Sequence, residues 1–87
     1  MSDETQVMTT SERLVYMAHQ IARNLATMGE ARAIQAVADH LASFWDPGMK
    51  AHIIAIARDE PERLSPVVAG AVALMAQRSP ASRTGAS

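Results

Sequence analysis

Few side chains in this sequence have the means to do chemistry. His19, His40 and His52 are its three imidazoles, and cysteine is absent. Imidazoles grip a metal ion when two project from one helix face, as an i, i+4 pair does. No two of these histidines have that spacing. Asp39 and His40 are adjacent, so on a helix their side chains diverge. The expectation is three solvated helix-face histidines and no metal centre. Without thiolates the chain has neither a disulfide framework nor a thiolate zinc site.

A serine nucleophile needs a base beside it and a strained turn to present it. No such pattern surrounds Ser11, Ser43 or Ser65. Glu30, Asp39, Asp59, Glu60 and Glu62 could supply carboxylates, but nothing in their spacing pairs two of them in a dry cleft. The four glycines are dispersed and make no phosphate loop. Asp46 stands beside the only Trp, yet Pro47 follows it, which makes a helix cap its expected role. Met8, Met17, Met28, Met49 and Met75 read as adaptable filler of a thin core, not as a cofactor box. No catalytic, cofactor-binding or metal-binding residue is assigned.

The elements that carry these residues are helices. Thr9-Thr10-Ser11-Glu12 has the form of a capping box, with Thr9 bonding forward and Glu12 reaching back. A first helix then runs to about Met28, with Leu14, Met17, Ala18, Ile21, Leu25 and Met28 in one apolar stripe. Tyr16, His19, Gln20 and Arg23 fall opposite. Gly29 is the expected left-handed stop. A second helix, from about Glu30 to Trp45, has the stripe Ile34, Val37, Ala38, Leu41 and Trp45. Asp46-Pro47 ends it and opens a third helix, because Pro at the first position loses no needed donor and drives the preceding residue out of the α region. Met49, Ile53, Ile56 and Ala57 line that helix to about Arg58. Residues 59–63 read as a charged loop. Ser65-Pro66 repeats the cap-then-proline device and opens a fourth helix to about Gln77, with Val68, Val72 and Met75 on one face and Val67, Ala71 and Leu74 on the next.

The expected fold is therefore all-α: a small compact bundle of three main helices plus a shorter fourth. Residues 1–8 are expected to be a flexible N-terminus, 9–78 the folded domain and 79–87 a disordered tail. The chain has 87 residues, and alanine supplies much of its 48% hydrophobic content. So small a domain is marginally stable unless something staples or supports it. Its net charge of -1 and pI near 6.3 give no basic footprint for nucleic acid. No apolar run approaches the roughly 20 residues that span a bilayer. The acidic N-terminus lacks the order of a signal peptide, so a cytoplasmic location is expected.

Phe44, Ile54, Val67 and Leu74 lie outside the main stripes. Either the short helices cross steeply and bury two faces each, or these residues dock on a larger protein. On the docking reading, the candidate interface is Phe44, Trp45, Met49, Ile54, Val67 and Leu74, with Trp45 the better core residue and Phe44 the better contact.

Two stretches resemble a known family. Leu14-Val15-Tyr16-Met17-Ala18-His19-Gln20-Ile21-Ala22 is similar to the first-helix signature of the delta subunit of cytoplasmic, molybdenum-containing, NAD-dependent formate dehydrogenase. Val37-Ala38-Asp39-His40-Leu41, followed by Phe44-Trp45-Asp46-Pro47-Gly48-Met49, resembles that family's second and more specific signature, in the same order and spacing. The likeness covers about residues 12–76. The family commonly has Arg where this chain has Gly48, Arg or another polar residue at Tyr16, and Asn at His19.

The resemblance implies an accessory subunit, without a catalytic site of its own, of a complex that oxidises formate to carbon dioxide and reduces NAD. It further implies that molybdenum cofactor, iron–sulfur clusters, FMN and NAD belong to partner subunits, and that the catalytic alpha subunit is the first partner to expect. Such a chain would support assembly, cofactor loading or stability of the holoenzyme. Two other readings stay open: a free-standing homo-oligomeric helical protein, and a small metal- or ligand-binding protein using His19, His40 or His52.

Overall fold

In the computed structural model, residues 8–78 are described, and among them every regular element is helical. Helix α1 spans Thr10–Leu25, α2 Glu30–Phe44, α3 Pro47–Asp59 and α4 Pro66–Arg78. One-turn 3-10 segments at Ala26–Met28 and Pro61–Arg63 lie before α2 and α4. The flexible N-terminus and disordered tail expected from the sequence fall, except for Met8, outside the described residues. The fourth helix is no shorter than the third; both have 13 residues.

Three of the four helices start where the sequence supplies a side-chain acceptor; α2 starts after Gly29, which has none. The Thr9 Oγ1 accepts from Glu12 N–H at 3.0 Å, and the Glu12 carboxylate accepts from Thr9 N–H at 3.0 Å. Asp46 Oδ1 accepts from Met49 N–H at 2.8 Å, with Pro47 as the first residue of α3. Ser65 Oγ accepts from Val68 N–H at 3.3 Å, with Pro66 as the first residue of α4. Each bond removes one of the unpaired donors that every helix start exposes. At the other end of α2, Lys50 Nζ of α3 donates to the Ala42 carbonyl at 3.2 Å, so the entering helix satisfies an acceptor of the departing one.

Gly29 departs from the expected left-handed stop. Its φ is +94° but its ψ is 153°, an extended region that only glycine enters without strain. The 3-10 turn before it also rotates Met28 off the α1 stripe, because three residues per turn replace 3.6. Met28 is consequently 46% exposed and not part of the core.

The core is built around α2 and α4, whose mutual contact is the most extensive in the molecule. Leu41, Ile53, Met75, Val37, Val68 and Val72 are its largest fully enclosed side chains, and no polar residue among those described is buried. Ala18, Ala33, Ala38 and Ala71 are also fully buried. Such small side chains fill space only if the helices come close. Gly70 makes this possible: a Cβ built there would lie 3.1 Å from Ile34 Cδ1. Helix α4 buries Ala71 as well as Val68, Val72 and Met75, so two of its faces are engaged within the monomer.

Gly70→Leu should therefore pry α2 from α4 and lower stability by about 1–3 kcal/mol, read as the urea midpoint of the helical circular-dichroism signal. Gly70→Ala should cost far less, since the tip of Ile34 can give way and alanine gains helix propensity of about 1 kcal/mol. In the same assay Gly29→Ala should lose about 1–3 kcal/mol through its positive φ, although space for the methyl is open.

Candidate interaction surface

The break at Asp46-Pro47 sorts the two large aromatics. The last residue of α2 is Phe44; Trp45 then turns extended, with φ -87° and ψ 138°. That turn folds the Trp45 side chain into the core, where it is 5% exposed, and leaves Phe44 outside at 74%. The exposed ring is not free: it lies against the His40 imidazole, with centroids 4.7 Å apart. His40 and Phe44 are one helical turn apart on the same face, so the pair forms a small aromatic plate beside the corner, its two rings tilted by 42°.

The six residues expected at an interface thus separate. Trp45 is inside and offers a partner no surface. Met49, Ile54, Val67 and Leu74 are half-buried and pack against the core, much of their apolar area being absorbed by neighbouring helices within the monomer. Phe44 is the member that stands out. Asp46 and Pro47 are exposed beside it, and so is Gly48, where an added Cβ would meet nothing closer than Asp46 Oδ1 at 3.4 Å.

The histidines are not the solvated groups that the sequence suggested; all three are half-buried. His19 Nδ1–H donates to the Val15 carbonyl at 2.8 Å, and its Nε2 accepts from the Ser65 N–H at 2.9 Å. A main-chain N–H can only donate, so Nε2 is the acceptor in this pair of bonds and Nδ1 carries the hydrogen. It ties α1 to the residue that caps α4. His52 Nε2 and Ser11 Oγ share a hydrogen bond at 2.8 Å, joining the start of α1 to the middle of α3. A serine–histidine contact is one ingredient of nucleophilic catalysis, but the base also needs an orienting partner. Among the described residues nothing bonds the other ring nitrogen of His52. No group of three His, Cys, Asp or Glu side chains suited to a metal ion occurs among the described residues.

Ion pairs decorate the outside. Arg78 bonds Asp39 at 2.9 Å and links the end of α4 to α2; Arg63 bonds Glu60 at 2.9 Å. Arg58 is raised above its ordinary value by its hydrogen bond to Asp59, and secondarily by that carboxylate's charge. No helix among the described residues is long and apolar enough to cross a membrane.

His19→Leu should leave the Ser65 N–H unpaired and cost about 1–3 kcal/mol. Amide hydrogen exchange at Ser65 should accelerate beyond the change at core amides, which distinguishes loss of this tie from a general loosening.

The family model described as "NADH-dependant formate dehydrogenase delta subunit FdsD" matches residues 13–72, a span that contains the corner, the aromatic plate and the His19 tie. No curated protein and no solved structure matches the chain. With more than half its length matched, the chain belongs to the formate dehydrogenase delta subunit family, a family of subunits of the formate dehydrogenase complex.

Proposed function

We propose that this chain is a non-catalytic accessory subunit that docks on a larger subunit of formate dehydrogenase, the catalytic alpha subunit being the first candidate, and supports assembly, cofactor loading or stability of the holoenzyme. Family membership supplies the complex. The observation that carries the docking is Phe44, the chain's only Phe, 74% exposed at the end of α2. An aromatic ring has few rotatable bonds to immobilise on binding and offers a large apolar contact.

On this reading the redox groups sit elsewhere. With no cysteine the chain cannot supply the thiolates that hold iron–sulfur clusters, and its dispersed glycines do not form a dinucleotide-binding turn. Molybdenum cofactor, FMN and NAD are likewise assigned to partner subunits, and the complex to the cytoplasm. The contribution of this chain is a shaped surface.

Co-expression with the larger subunits should yield a co-purifying complex. Phe44→Asp should reduce the recovered chain at least about tenfold, in the range of an interface anchor, while the isolated variant keeps its helical circular dichroism. Quantitative co-purification of the folded variant would reject the docking role of Phe44. A tight dimer of the isolated wild-type chain by light scattering, with no association with the larger subunits, would favour the homo-oligomeric alternative.

A further inference from the structure

A shallow groove lies between α1 and the start of α4, lined by His19, Ala22, Arg23, Ala26, Ser65 and Val67. Ala22, Ala26 and Val67 make its walls apolar. The polar atoms of His19 are already committed, one to Val15 and one to Ser65, so the ring presents itself as another closed wall. Arg23 borders this trough. It is exposed, and its guanidinium has no ion pair or hydrogen bond among the described residues. Tyr16, 55% exposed, precedes it by about two turns in the same row of side chains on α1. Tyr and Arg are the side chains that most often carry binding energy at protein interfaces, and a guanidinium beside an apolar trough is matched by a carboxylate beside an apolar side chain.

We propose that this groove seats an acidic amphipathic segment of a larger formate dehydrogenase subunit. An aliphatic side chain of that segment fills the trough between Ala22, Ala26 and Val67, a carboxylate pairs with the Arg23 fork, and Tyr16 covers the flank. The proposal rests on the accessory-subunit reading, but it shares no residue with the Phe44–Trp45 corner, so the two fail separately.

The test measures affinity of the purified chain for formate dehydrogenase holoenzyme prepared without it, across a range of NaCl concentrations. Arg23→Glu should weaken binding at least about tenfold at low salt, with the deficit shrinking as salt rises. Arg23→Lys keeps the charge without the fork and should lose only a few-fold. Ala26→Phe, at an exposed position, should plug the trough and weaken binding at all salt concentrations. Circular dichroism confirms that each variant is folded. Arg23→Glu binding within about twofold of wild type overturns the proposal; if Phe44→Asp abolishes binding in that assay, the accessory reading stands without the groove. Failure of the wild-type chain to bind overturns both. A dimer of the isolated chain that Arg23→Glu dissolves assigns the groove to a second copy and overturns the partner segment.

Discussion

The structure depends on how closely α2 and α4 approach. Alanine occupies many interior positions, and an alanine methyl gains dispersion energy only from atoms within van der Waals reach. A bundle at ordinary separation would leave these positions lining voids. Gly70 facing Ile34 removes the obstacle and lets the two helices share one compact layer of Val37, Leu41, Val68, Val72 and Met75. Helix α1 packs on both members of this pair, and α3 packs on α1 and α4. Side-chain ties then fix angles that a thin apolar layer would leave loose. His19 holds α1 to the cap of α4, and Ser11 meets His52 between α1 and α3.

The corner at Asp46-Pro47 converts a local backbone rule into an asymmetry of exposure. Two adjacent aromatics on a continuous helix would point about 100° apart and share the boundary between core and solvent. Ending the helix at Phe44 and extending Trp45 sends one fully inward and the other fully outward. The same stop exposes carbonyls, and Lys50 takes up one of them. The outward ring and the inward ring therefore depend on one feature.

What could be read from the sequence is what local chemistry decides. Thr9 with Glu12, Asp46 with Pro47, and Ser65 with Pro66 each act within three or four residues, and each cap forms as expected. Helical angles ranked Trp45 as the better core residue and Phe44 as the better contact, but it is the break at Trp45, which lies outside the helix, that separates the two rings. His19 and His52 were misread because their partners lie 46 and 41 residues away in the chain, and no periodicity reports such a meeting. Met28 was misread because the stripe presumes a constant rotation per residue that the 3-10 turn breaks. Ile54, Val67 and Leu74 looked surplus because a single-stripe view undercounts a helix with neighbours on two sides, as α4 has. The isolated Gly70 inside an apolar helix was the legible sign of that close packing. The groove beside Arg23 had no sign of its own, since it joins α1 to residues more than 40 positions away.

The burial of the lone indole has a practical consequence. The chain has a single Trp, packed inside the bend whose outer edge is the exposed Phe ring. Its fluorescence thus reports on one place only. A red shift signals water reaching the inside of that bend, and a change in quenching without a shift signals something settling on the outside. The protein carries an intrinsic optical probe at the corner from which its exposed aromatic ring projects.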